Sequence, residues 1–186
     1  MRVIAGSLRG RRIAAPPGLG TRPMLDRVRE AIFSTLAPWL DGAAVLDLFA
    51  GSGAMSIEAL SRGAAHAVLV ERDPKVRAVC AANLAELGIE ERAELRGGDA
   101  LSASERAGGP FDVVFVDAPF PMVTDAKLRP LVLDAVRAVT AESLADEGVL
   151  VLHVPVGVLR ERDLEGLESR ERVYGGQAIW YVQRGE

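Results

Sequence analysis

An apolar strand that ends in a glycine-rich turn and opens directly into a helix commits a chain to a layered α/β fold. This chain has such a segment at Val45 to Ala54, VLDLFAGSGA. From there the pattern alternates. Residues 44–48, 67–71, 93–96, 113–117 and 149–153 read as strands. Residues 54–62, 74–87 and 128–140 between them read as helices, with a weaker helical candidate at 158–167. Apolar strands alternating with helices predict a parallel sheet covered on both faces, because each crossover lays a helix over the sheet. The tail breaks this rhythm. Residues 171–174 and 178–183 flank Gly175-Gly176-Gln177, which leaves no room for a crossover helix and predicts an antiparallel hairpin.

At 186 residues and 49% hydrophobic content, the chain is long enough for one domain with an ordinary core. Charges, Gly or Pro interrupt each apolar run short of the roughly 18 residues a membrane span needs. Met1 leads straight into Arg2-Val3-Ile4-Ala5-Gly6 without an apolar leader, so a cytoplasmic protein with no membrane partner is expected. Cys80, the single cysteine, falls on a helical pattern and reads as a small buried apolar residue.

The net charge of −4 hides an uneven distribution. Residues 1–30 hold seven arginines against two acidic residues, while the remainder carries a net charge of −9. Guanidinium forks match phosphate geometry, so a local arginine excess suits nucleic-acid contact. A solubilising hairpin is the plainer alternative. Residues 2–5 and 11–15 predict that hairpin, and a Pro/Gly linker follows at 16–20. Asp26 is expected to cap a helix running to about residue 36. This divides the chain into an N-terminal extension, residues 1–22, and a main domain, residues 23–186.

The turn after the first strand is the first candidate site. Gly51-Ser52-Gly53 lacks the third glycine of the dinucleotide fingerprint, since Ser56 stands in its place, and no Lys follows as in a phosphate loop. Asp47 precedes the turn, where a carboxylate repels a pyrophosphate but suits a cationic ligand. The ammonium and sulfonium of S-adenosyl-L-methionine (SAM) fit, with Phe49, Ala50, Gly51, Ser52 and Gly53 lining the ligand. Glu71, followed by Arg72, ends the next strand, where a carboxylate can accept from ribose hydroxyls. Asp99, followed by Ala100, lies after the third strand, where it can accept from the adenine amine. An ordinary acidic strand end and a turn aspartate are the plainer readings of Glu71 and Asp99.

The second candidate site is Asp117-Ala118-Pro119-Phe120, which closes the fourth strand. An exocyclic amine is a poor nucleophile because its lone pair is delocalised into the ring. An acceptor for its N–H groups localises that lone pair and aims it, so Asp117 fits N-methylation, and Phe120 offers a face on which a base can stack. The sulfonium already carries its leaving group, so no metal is required. In-line positioning remains as the main contribution of the protein. His66 and His153 read as a loop residue and a strand-end residue, with no catalytic task.

RVIAGSLRGRRI, TRPMLDRVREAIF, VLDLFAGSGA, EALSRGAA, VERD, GGDA and VDAPF occur in this order. Together they resemble the RsmD family of 16S rRNA guanine-N2 methyltransferases along essentially the whole chain. The resemblance implies a Rossmann-like class I SAM-dependent fold, a mostly parallel seven-stranded sheet with an antiparallel C-terminal strand. It implies methylation of a guanine in 16S rRNA, within the small ribosomal subunit or its assembly intermediate; a monomer is expected. It also implies that Asp117 and the adjacent main-chain carbonyl accept from the guanine amine while Phe120 stacks. Arg22, Asp26 and Arg29 then lie in a segment that closes over cofactor or RNA, and Arg9, Arg11 and Arg12 join Arg22 and Arg29 as RNA-binding candidates.

Two positions depart from the family pattern: Ala118 replaces a proline, and Met24-Leu25 replaces two threonines. Ala118 keeps its carbonyl, so the lost stiffness is worth about 0.4–1 kcal/mol and modulates rather than abolishes activity. Rival readings are methylation of adenine N6 or of a glutamine amide, and a SAM-binding RNA module with weakened catalysis.

Overall fold

The computed structural model describes residues 1–16, 24–102 and 108–185. Its centre is a seven-stranded sheet built from β1 (Ala44–Leu48), β2 (His66–Glu71), β3 (Ala93–Gly97), β4 (Phe111–Val116), β5 (Leu144–Pro155), β6 (Leu167–Tyr174) and β7 (Gln177–Arg184). The strand order is β3-β2-β1-β4-β5-β7-β6. The first five strands pair in parallel, and β7 pairs antiparallel with both β5 and β6.

Alternation along each strand sorts side chains to two faces. Val45, Leu69, Phe115 and Val151 pack with α1 (Asp26–Leu40), α2 (Ala54–Ser61) and α3 (Pro74–Leu87). Leu46, Val70, Val116 and Leu152 pack on the other face with α4 (Phe120–Thr124) and α5 (Arg129–Glu142). Each fully buried aliphatic or Phe side chain here contributes roughly 1.5–3 kcal/mol. The sheet is thus covered on both sides, as its near-continuous apolar strands require.

Three local expectations are corrected. The first helix runs past residue 36 to Leu40, and Asp26 is not its cap: Leu25 occupies the N-cap and Asp26 is the first helical residue, paired with Arg29. Pro38 is tolerated because the carbonyl it leaves without a donor belongs to Ser34, an exposed residue that water can serve. Residues 158–167 hold only a 3-10 turn at Glu161–Leu164, where buried Leu159 and Leu164 pin a loop with a spacing that mimics a helix.

The expected N-terminal hairpin is present in short form, with an antiparallel bridge between Arg2 and Arg12 and backbone bonds from Val3 N to Arg11 O and from Ile13 N to Met1 O, both at 3.0 Å. Three further backbone donors are taken by side chains of α2. Glu58, fully buried, accepts from Ile4 N at 2.8 Å and Ala5 N at 3.0 Å, and Ser61 Oγ accepts from Leu8 N at 3.0 Å. Gly6 crosses so close to α2 that a Cβ there would lie 1.8 Å from the Ser61 carbonyl oxygen. Val3 and Ile13 belong to the same core as α1 and α2.

Candidate functional site

Register brings the polar strand ends together. Asp47 pairs with Leu69 on β2 and with Phe115 on β4, and Phe115 pairs with Val151 on β5. Two residues further along, on the same face, come Glu71, Asp117 and His153. Phe49 leaves this row with φ +64°, a left-handed conformation costly for a large side chain, and turns the chain across the strand ends. Ala50 N donates to Val70 O at 3.0 Å, which holds the turn over β2.

Asp47 is 1% exposed and accepts from Ser56 N at 3.2 Å and Ser56 Oγ at 2.8 Å. Burial pushes its carboxyl up to about 7; the Ser56 hydrogen bonds oppose this, and the charges of Asp117 and Glu71 reinforce it. None of these influences is a cation. Ser56, which departs from the dinucleotide pattern, is therefore the anchor of the buried acid. Glu71 accepts from Gly51 N at 3.1 Å and Asp73 N at 2.8 Å, one bond per oxygen, and so ties the turn to the start of α3.

Gly53, with φ +81°, opens α2 against α3; a Cβ there would sit 2.9 Å from Cys80 Sγ. Cys80 is buried, and burial followed by the charges of Asp47 and Glu71 pushes its thiol up to about 12. Ser52 is also buried, and its carbonyl accepts from Asn83 Nδ2 at 2.9 Å. The same Asn83 amide exchanges two bonds with the backbone of Ala14. The sequence reading missed Asn83, because its only local signal is a polar residue on an otherwise apolar helical stripe. Arg72 and Asp99 are exposed, Asp99 Oδ1 accepts from Leu101 N at 3.0 Å, and Ala100 is buried.

On the other side of the turn, the Asp117 side chain is 36% exposed, and its Oδ1 lies 2.8 Å from His153 Nδ1. Ala118 is buried, Pro119 caps α4 and Phe120 is the first residue of that helix. The Phe120 ring meets the His153 imidazole edge to face, with centroids 5.1 Å apart and an interplanar angle of 68°. His153 lies near the end of β5, as expected, and its imidazole is set against Asp117.

The arginines divide. Arg9, Arg11 and Arg12 are exposed, and Arg11 donates to Glu86 O at 2.7 Å. Arg29 is 1% exposed and donates to Arg2 O, to Met1 Sδ and to Asp26. Its guanidinium is consumed in tying the N-terminus to α1, so its expected place on an exposed RNA face is corrected. Arg22 lies outside the described residues.

Three acids converge here, and the charges acting on buried Asp47 are those of Asp117 and Glu71, which suits a positively charged ligand and disfavours a pyrophosphate. SAM, with its ammonium and sulfonium, fits these residues.

The sequence profile described as Conserved hypothetical protein 95 matches residues 1–183. A putative rRNA methyltransferase of Bacillus subtilis, YlbH, is 42% identical over 193 residues that cover the whole of both chains. The ribosomal RNA small subunit methyltransferase D of Escherichia coli K12 is 46% identical over 120 residues, 64% of this chain and 60% of that one. Among solved structures, a putative methyltransferase yhhF from Escherichia coli superposes with a TM-score of 0.83 at 37% identity, covering 100% of this chain and 98% of that one.

Proposed function

The chain belongs to the RsmD family, whose profile is Conserved hypothetical protein 95, and on that premise we propose that it methylates the exocyclic N2 of a guanine in 16S rRNA. Family and fold neighbours are methyltransferases and imply SAM as the methyl donor. The observation that carries the reading is the Asp117 carboxylate at the tip of β4. It is one strand from the acidic turn, a third exposed, and bonded to His153, whose ring in turn meets Phe120.

When bound, SAM supplies a methyl group on a sulfonium whose leaving group is a neutral thioether. Asp47 balances the positive charge of the donor, and Glu71, which has a lone pair left on each oxygen, accepts from ribose hydroxyls. Asp99 accepts from the adenine amine. Asp117 Oδ2 and the Ala118 carbonyl accept the two N–H bonds of the guanine amine, which localises the lone pair and aims it at the methyl carbon. Phe120 stacks on the base, a contact worth roughly 1–3 kcal/mol. Methylation turns the amine into a strong acid, and its surplus proton leaves through the carboxylate that already accepts it. Holding the reactants in line is the main contribution of the protein. Exposed Arg9, Arg11 and Arg12 contact rRNA phosphates.

Transfer of labelled methyl from SAM to small subunits lacking the modification, followed by mass mapping of the nucleotide, tests this reading. Label on guanine N2 is expected. Label on adenine N6, or none despite intact SAM binding, rejects it. Asp117→Ala is expected to lose most turnover while SAM affinity stays near normal, and an equal loss of affinity would move Asp117 to the cofactor.

A further inference from the structure

We propose that His153 is a positioning residue for this reaction, one that sets the Asp117 carboxylate and the Phe120 ring in a fixed relation to each other. The inference rests on the methyl-transfer reading and adds a residue to it. His153 ends the apolar run Val149–Leu152 and is 4% exposed, so its imidazole has left water for the interior. Such a group needs polar partners, and Asp117 Oδ1 at 2.8 Å is the one it finds. An ionised carboxylate only accepts, so Nδ1 carries the proton and donates it. Among the described residues Nε2 is buried without a hydrogen-bond partner, which leaves the bond to Asp117 as the ring's one polar tie there.

Two consequences follow for the site. Asp117 Oδ1 is occupied and the carboxylate plane is held, so Oδ2 is the oxygen presented to a substrate N–H. The edge-to-face contact with Phe120 at 5.1 Å fixes the plane of the ring on which the base stacks. One buried imidazole thereby aligns the acceptor for the amine with the platform for the base. The β4–β5 register makes this possible, since Val116 pairs with Leu152 and the next residues on each strand are Asp117 and His153.

Two variants separate positioning from simple packing. His153→Leu keeps bulk and removes the donor, whereas His153→Asn keeps an N–H near the Nδ1 position. His153→Leu is expected to lower kcat roughly 10- to 100-fold, the scale of a misplaced reacting group, with little change in S-adenosylhomocysteine Kd or in KM for the subunit. His153→Asn is expected to recover most of kcat. Independently of activity, imidazole 15N spectra should show a single Nδ1–H tautomer in the wild type and a mixture in Asp117→Ala. Unchanged kcat in His153→Leu overturns the proposal, and so does a loss that Asn fails to rescue or that tracks loss of cofactor affinity. A tautomer insensitive to Asp117→Ala overturns it as well. If the wild type methylates no subunit, the functional reading fails, and the spectra alone then judge the His153–Asp117 bond.

Discussion

Asp47 is a carboxylate held where its charged form is disfavoured. Its native pKa of about 7 exceeds the ordinary value of 3.8, so between these pH values the folded protein binds more protons than the unfolded chain. Stability from this group is complete below about 3.8 and is lost as pH rises toward 7. The melting temperature of the ligand-free protein should therefore carry a component that falls across that window, and Asp47→Asn should remove it. A cationic ligand reverses the preference by favouring the ionised form. Calorimetry near pH 7 in buffers of different ionisation enthalpy should detect proton release when SAM binds, and no release would uncouple Asp47 from the ligand. At Gly53, a methyl group meets Cys80 Sγ at 2.9 Å on a backbone with φ +81°. Gly53→Ala is expected to cost about 1–3 kcal/mol by denaturant unfolding, from overpacking and left-handed strain. Adding Cys80→Ala should relieve the steric part only.

At the scale of elements, helices and strands were legible in the sequence where hydrophobic period and local chemistry agreed. The α3 helix matches its expectation from Pro74 to Leu87 because both ends carry local signals. Asp73 caps it by accepting from Lys75 N and Val76 N, and Gly88 ends it at φ +67°. The N-terminal hairpin is present as its two β-like runs predict, but its docking onto side chains of α2, more than 50 residues away, had no local signal. Glu58→Ala should leave the amides of Ile4 and Ala5 unpaired and destabilise the protein by roughly 2–4 kcal/mol. Limited proteolysis should then cut first within residues 1–16, and an unchanged pattern would mean that Val3, Ile13 and the remaining bonds to Arg29, Ser61 and Asn83 hold the segment without Glu58.

For the whole molecule, Arg9, Arg11 and Arg12 are exposed on the N-terminal segment while the acids lie at the strand ends, so RNA affinity and chemistry should separate. Neutralising Arg9, Arg11 and Arg12 together should weaken rRNA binding and flatten its salt dependence by about 0.7–0.9 per lost phosphate contact, leaving SAM affinity unchanged. An unaltered salt slope would return the segment to a structural role. Among the described residues, no helix is long and apolar enough to cross a membrane. The amino-acid order alone specified the strand–turn–helix at residues 44–61, the acids at the strand ends and the antiparallel tail, because these depend on periodicity and on residues within a few positions of each other. Only the tertiary structure placed His153 on Asp117, Asn83 between Ser52 and Ala14, and Arg29 inside the fold rather than on its surface. Hydrogen bonds act over about 3 Å. Which distant residues come that close is set by sheet order and register, and those are properties of the packed whole.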